Sequence, residues 1–187
     1  VVGKGDDLKI VSAVGAPNVE SVPVSIVVDN VSKPVEGFVL SITNDPAIAL
    51  TDIAVGAATG GEVDGAAEFV VMKYYANGGT LGVVLDFNPP YNGQTVAVGT
   101  NNELAVFTYT RACEPDVFGS FEFDLTFADG VFGSPPLDNT LVEEGLSIPP
   151  NPINGTVTFV CEETEPPLEG FQFYIGGDLP PDSMPGD

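Results

Sequence analysis

The stretch SFEFDLTF, residues 120–127, alternates apolar and polar side chains without interruption. In an extended chain the apolar side chains all point to one side, and these are Phe121, Phe123, Leu125 and Phe127. The polar residues that separate them, Glu122, Asp124 and Thr126, point to the other side. This period of two is typical of a β-strand that has one face in a core and the other in water.

Six other stretches predict further strands: SVPVSIVVD (21–29), GFVLSIT (37–43), GAAEFVVMKYYA (65–76), GTLGVVLDF (79–87), ELAVFTYTR (103–111) and GTVTFVC (155–161). The pattern of stretch 65–76 could be mistaken for helical periodicity, but its β-branched and aromatic residues favour a strand. Stretch 79–87 is apolar almost throughout, which predicts a buried central strand. In stretch 103–111 the alternation places Leu104 and Ala105 on opposite faces.

Turn-forming clusters separate these stretches, and the chain has 22 glycines and 17 prolines. Strands spaced in this way are typical of two sheets packed face to face. We therefore expect an all-β fold, a two-sheet β-sandwich or jelly roll of about nine strands, with a C-terminal extension strand.

Composition limits the possible partners. The 187 residues are 43% hydrophobic, enough for the core of one domain, and 27 Asp and Glu outnumber 5 Lys and Arg. Nucleic acid and membrane surfaces are poor partners for a net charge of −22, because binding them needs cationic groups. No run approaches the roughly 18 apolar residues of a membrane span. The strong negative charge and a first residue that is not Met together predict a processed, secreted protein at the cell surface or outside the cell.

The two cysteines, Cys113 and Cys161, each follow a strand-like run and precede an acidic segment that contains proline. Two strands that end side by side could bring them within the short Cα separation that a disulfide requires. Two buried free thiols are the alternative. An exported β-protein favours the disulfide, and closing so long a loop would stabilise the fold by about 4 kcal/mol.

Acidic loops are candidate calcium sites, because carboxylates and turn carbonyls are the ligands that calcium prefers. The candidate ligands lie in KGDDL, FADG and LVEEG, and they are Asp6, Asp7, Asp129, Glu143 and Glu144. None of them has EF-hand spacing, and solvated acidic loops are the alternative interpretation. No other cofactor is expected.

The sequence argues against catalysis. It contains no histidine, which removes Ser-His-Asp and Cys-His nucleophile systems and histidine-bound zinc. The glycine-rich stretch GAATGGEVDG (56–65) lacks the lysine of a phosphate-binding loop and is interpreted as a surface loop. A pair of acids could in principle hydrolyse a glycoside, but among 27 acids some pair is close by chance. We expect a protein that is not an enzyme.

The order of these stretches resembles that of a cohesin-like domain. VPVSIVVDNVSKPVEGFVLSITNDPAIALTDIAVG (22–56) is similar to the opening half of the family, in which two strands precede a DP turn and a hydrophobic segment. GTNNELAVFTYTRA (99–112), FEFDLTFADG (121–130) and NPINGTVTF (151–159) are similar to its later strands. The resemblance covers roughly 7–161, and stretches 80–100 and 132–142 look most like modules of large, repetitive bacterial surface proteins.

The resemblance implies a noncatalytic, nine-stranded jelly-roll module that works by contact with another protein. Cellulosomal members of the family bind a calcium-loaded dockerin on one sheet face. The sequence does not assign that face residue by residue. A dockerin-like or carbohydrate ligand is therefore one expectation for this chain.

The C-terminal region supports a second expectation. After the domain at 1–161, residues 162–170 form an acidic, proline-rich linker by composition. Residues 171–187 begin as a strand in which Phe171, Phe173 and Ile175 alternate with Gln172 and Tyr174.

Several interpretations of residues 171–187 remain open: an extra strand of the same domain, the first strand of another, truncated cohesin-like module, a strand that docks on a neighbouring subunit, or a plain linker to further sequence. The third is favoured, because main-chain pairing gives affinity and head-to-tail contacts that do not close generate filaments. The docking residues would be Phe171, Phe173, Tyr174 and Ile175. This predicts an extracellular structural protein that self-associates into a filament or surface layer by strand addition.

Overall fold

The computed structural model describes residues 6–59 and 67–163, and β-strands dominate both ranges. The strands are β1 (Asp7–Ile10), β2 (Ala13–Val14), β3 (Ser21–Asn30), β4 (Gly37–Asn44), β5 (Ala49–Val55), β6 (Phe69–Tyr75), β7 (Gly78–Val84), β8 (Gly99–Thr110), β9 (Gly119–Phe127), β10 (Thr140–Glu143), β11 (Leu146–Ile148), β12 (Asn151–Ile153) and β13 (Gly155–Cys161). The helical residues in the described part are one 3₁₀ turn at Ala57–Thr59. In these ranges no helix is long and apolar enough to cross a bilayer.

The strands form two sheets that pack face to face. The first, sheet A, has the order β12-β1-β3-β8-β5. The second, sheet B, has eight strands in the described residues, with the path β11-β10-β4-β9-β13-β2. In sheet B the other side of β4 pairs with β7, and β7 pairs in turn with β6. The predicted two-sheet sandwich is confirmed.

The core forms where the alternating faces of the two sheets meet. On β3 the side chains of Val22, Val24, Ile26 and Val28 are all buried, as their period of two predicts. The same holds for the apolar residues of β4 and β13, which are Phe38, Leu40, Ile42, Val157 and Phe159. Strand β7 lies between two neighbours, which confirms the central strand predicted from its continuous apolar run.

Leu104 departs from the predicted alternation. The sequence pattern places it opposite Ala105, yet both side chains are completely buried. The β3–β8 register shifts at this point, since Ile26 faces Ala105 while Val27 faces Glu103. Leu104 is thus the extra residue of a β-bulge, and a bulge lets two consecutive residues turn towards the same side.

The strand number also differs from the prediction, with thirteen strands in the described residues against about nine expected. The excess consists of very short strands, among them β2, β11 and β12. Their residues show no useful alternation over two or three positions. They are strands because they pair with a neighbour, as β12 does with β1, and not because of their own side-chain pattern.

The structure joins Cys113 to Cys161 in a disulfide, with a Cα–Cα separation of 5.6 Å. The bond ties the end of β13 to the loop that follows β8. Arg111 covers it, because its guanidinium donates to Cys161 Sγ and lies 4.1 Å from the ring centroid of Phe121. Beyond Cys161 the chain is described only to Glu163. The predicted linker from 164 onward and the predicted docking strand at 171–175 lie outside the described residues.

Candidate functional site

The outer face of sheet B, on strands β4, β7 and β6, is the strongest candidate for a binding surface. Register places Val71 of β6 beside Gly82 of β7, and Gly82 beside Val39 of β4. The intervening residues Leu81 and Val83 point into the core. The outward positions therefore form straight rows across three strands, with a glycine in the middle of one row.

This face is unusually apolar for a surface exposed to water. Phe69, Val71 and Val84 are 43%, 42% and 37% exposed, and they lie on the same side of neighbouring strands. Between them, Gly82 and Thr80 present little bulk above the sheet. We refer to the area formed by the outward residues of β4, β7 and β6 as the outer face. Contiguous apolar surface of this kind commonly marks a site of contact with another molecule.

The segment 128–139, which connects β9 to β10, covers one end of the outer face. Phe132 stacks on Tyr75 of β6, with ring centroids 4.4 Å apart. Asn139 donates its side-chain amide to the Ser41 carbonyl and accepts a hydrogen bond from the Ser41 N–H. Asp129 in turn accepts two hydrogen bonds from Asn139. These contacts hold the segment firmly against β4 and β6.

A groove of about 260 Å³ remains between this segment and the sheet. Pro135 and Leu137 contribute to its wall, and Val39 and Val71 contribute to its floor. Lys73 lies at its border. The groove is narrow and apolar, so it suits a single apolar side chain or an extended segment better than a broad surface.

A second groove, of about 370 Å³, lies at the other end of the outer face. It is bordered by Val84 and by the loop 86–95, whose Tyr91 is 71% exposed. Asp86 shapes the loop, because its carboxylate accepts the N–H groups of Asn92 and Gly93. Glu36 also lines this groove, so its border is acidic where the border of the first groove carries Lys73.

The structure brings two of the five candidate calcium ligands together. Asp6 lies just before β1 and Glu143 ends β10, and their carboxylates face each other. Burial, reinforced by the neighbouring Asp6 carboxyl group, raises the pKa of Glu143 to about 7.

The other three candidates have separate partners. Glu144 accepts a hydrogen bond from Lys33 at 2.7 Å, which raises the pKa of that lysine. Asp7 accepts one from the amide of Asn151. Asp129 accepts its two hydrogen bonds from Asn139 within segment 128–139. In the part of the chain that the structure describes, no group of three or more Asp, Glu, His or Cys side chains is arranged to hold a metal ion.

Sequence reasoning did not identify the outer face. The signal that could have found it is the run FVVMKYY (69–75), which is apolar on both of its alternating faces. Val70 packs against the core, while Val71 points outward. A strand with two apolar faces is either buried on both sides or available to a partner. Only the exposure of the outward side chains in the folded domain, such as that of Val71, separates these two cases.

Comparison with known proteins identifies the architecture. No protein-family model matches the chain, and no curated protein matches it. Among solved structures, a type I cohesin–dockerin complex from Clostridium thermocellum superposes with a TM-score of 0.61 at 17% identity, over 87% of this chain and 97% of that one. The domain has the cohesin fold.

Two other cohesins show how widely this fold is distributed. A non-cellulosomal cohesin from the archaeon Archaeoglobus fulgidus has a TM-score of 0.54 at 16% identity, over 83% of this chain and 91% of that one. A type III cohesin from a cell-surface anchoring scaffoldin of Ruminococcus flavefaciens has a TM-score of 0.57 at 15% identity, over 83% and 87%. Identities this low establish the cohesin fold of the chain and not its partner.

Proposed function

We propose that this cohesin-like domain is a noncatalytic module that binds another protein through its outer face. The observation that carries the proposal is the row of exposed apolar side chains on β6 and β7, flanked by a groove at each end. A folded partner could bury Phe69, Val71 and Val84 against this flat floor. Removing apolar area from water contributes roughly 25 cal/mol per Å² before the costs of association.

The partner class to test first is a dockerin. The similar Clostridium thermocellum cohesin is solved in complex with one, and so is a cohesin from Acetivibrio cellulolyticus. A net charge of −22 favours a partner with a basic surface, because complementary charge speeds encounter and excludes acidic competitors. The acidic border formed by Glu36 and Asp86 would meet such a partner directly.

The setting we propose is extracellular, at the cell surface. The Cys113–Cys161 disulfide supports this, because disulfides persist in oxidising compartments. The excess of acids supports it too, since it keeps a protein dispersed where counterions screen self-repulsion.

The screening experiment uses the full chain immobilised through its N-terminus and a panel of purified, calcium-loaded dockerins. Binding of at least one dockerin, weakened by added salt, is the expected result. If no dockerin binds at micromolar concentration in low salt, the dockerin-type partner is wrong.

Head-to-tail self-assembly is a second candidate function, favoured by the position of β6. Within the described residues β6 pairs only with β7, so its other edge is open to an added strand. The core-side residues Met72 and Tyr74 are well exposed at this edge. The alternating segment 171–175 of a neighbouring copy could pair along β6 and cover them. Such assembly would build a filament or surface layer.

A further inference from the structure

Two buried carboxyl groups meet where three segments of the chain come together. Asp6 precedes β1, Glu143 precedes the β10–β11 turn, and residues 31–33 follow β3. The main-chain N–H of Val31 donates to Asp6 Oδ1 at 3.4 Å, which brings the third segment to the same place. The main chain of Asp6 is fixed as well, because its carbonyl accepts the N–H of Asn151.

Burial makes this pair unusual among the acids of the chain. Asp6 is 5% exposed and Glu143 is 8% exposed, whereas ionised carboxylates are rarely buried without a cationic partner. Asp6 Oδ2 is one of the buried side-chain atoms in the described residues that have no hydrogen-bond partner. An unsatisfied buried carboxylate oxygen is costly, so a group that satisfies it would stabilise the fold.

The two carboxyl groups satisfy each other only while they share a proton. When both are ionised, both accept hydrogen bonds and neither donates one, and their like charges repel. Among the described residues, Lys33 is a cation near Glu143, but its ammonium binds the exposed Glu144 at 2.7 Å. The position between Asp6 and Glu143 therefore calls for a positive species that reaches both.

We propose that Asp6 and Glu143 together bind a divalent cation of the calcium type. Calcium accepts six to eight oxygen ligands in flexible geometry, so two carboxylates can be supplemented by main-chain carbonyls and water. A cation here would tie β1 to the β10–β11 turn, one residue from the Val142 that lines the second groove.

The test measures thermal unfolding of the full chain in calcium chloride and in magnesium chloride at equal ionic strength. Calcium should raise the melting temperature by several degrees more than magnesium does, since a ligand that binds the native state stabilises it by mass action. The isosteric substitutions Asp6→Asn and Glu143→Gln should each abolish this difference. The matched controls are Asp124→Asn and Glu20→Gln, which change exposed acids and should leave it intact.

Two results would overturn the proposal. One is an equal response of the unsubstituted protein to calcium and magnesium. The other is a calcium response that survives in both Asp6→Asn and Glu143→Gln, which would assign the effect to general screening of the acidic surface. Isothermal titration with calcium chloride gives an independent reading, with one site per chain expected and none in Glu143→Gln. If Asp6→Asn fails to fold, the calcium response of Glu143→Gln alone tests the proposal.

Discussion

Phe132 lies stacked on Tyr75, with ring centroids 4.4 Å apart and an interplanar angle of 12°. This contact joins the β9–β10 connection to the edge strand β6 across the outer face of sheet B. It leaves a narrow groove where an uncovered sheet would present a wide surface. The shape of the candidate binding site therefore depends on one aromatic pair that is far apart in sequence.

Removing the ring of Phe132 should destabilise the protein. Phe132 is almost fully buried, and Phe→Ala at a buried position costs about 3–5 kcal/mol. Because the segment lies at the surface and can partly collapse, we expect Phe132→Ala to lower the free energy of unfolding by about 3 kcal/mol. Urea denaturation measures this change in the free energy of unfolding. Phe118→Ala, at a residue that is half exposed, is the control and should cost less than about 1 kcal/mol.

The disulfide should contribute strongly to stability. Its cysteines are 48 residues apart, and closing a loop of this length restricts the unfolded chain by about 4 kcal/mol. Replacing both cysteines with serine should lower the free energy of unfolding by that order. Denaturation with and without reductant checks the cause, since reductant should destabilise the natural chain and leave the double variant unchanged. Equal sensitivity of both proteins to reductant would contradict this account.

The ion pair between Lys9 and Asp29 predicts a specific acid sensitivity. The hydrogen bond from Lys9, helped by the N–H of Asn101, lowers the pKa of Asp29 below its ordinary value of 3.8. A lowered folded-state pKa gives stability that is present above 3.8 and is lost as the pH falls through the folded value. Asp29→Asn should therefore cost about 1 kcal/mol or less at neutral pH, because the pair is near the surface.

The same comparison in strongly acidic buffer completes this test. There the carboxyl group of Asp29 is protonated, so Asp29→Asn and the unsubstituted protein should unfold at nearly the same urea concentration. A difference that stays constant between neutral and acidic buffer would show that the ion pair is not its cause.

The self-assembly hypothesis makes its own prediction for the C-terminal residues. Deletion of 170–187 should leave a folded monomer that no longer assembles, and Phe173→Asp should act in nearly the same way. Burial of two Phe and one Ile would contribute roughly 5 kcal/mol before association costs, which one buried aspartate would cancel. Electron microscopy and sedimentation measure the assemblies. Unfolding of the truncated chain would instead assign 171–175 to its own domain, and unchanged assemblies would make it a linker.

Local side-chain patterns were enough to predict the sandwich. The alternation in β3 and β13 reports directly on which residues face the core, because successive side chains of a strand point to opposite sides. In β9 the same alternation buries Leu125 and packs Phe123 and Phe127 partly against the core, while Phe121 lies outside the core cluster. The pairing of Cys113 with Cys161 could be predicted because each cysteine follows a strand-like run and precedes an acidic segment that contains proline. These features depend on a few consecutive residues, and a sequence displays them openly.

The features that the sequence did not reveal depend on contacts between distant residues. The burial of Leu104 arises from a bulge against β3, and the short strand β12 exists only through its pairing with β1. The closeness of Asp6 and Glu143 likewise reflects the topology. The acidic loops predicted both residues as possible ligands, but nothing in either loop pointed to the other. The outer face depends on which outward side chains the folded domain leaves exposed.

The central claim is that the outer face of β4, β7 and β6 binds a protein partner. The direct measurement is isothermal titration calorimetry with the dockerin that binds in the screen. It compares the affinity of that dockerin for three proteins: the unsubstituted chain, Val71→Asp and Val19→Asp. Val71 lies on the outer face and Val19 lies in the turn before β3, and the two are almost equally exposed. We predict that Val71→Asp weakens binding by about tenfold or more while Val19→Asp has little effect. Equal affinity of Val71→Asp and the unsubstituted chain would contradict the account.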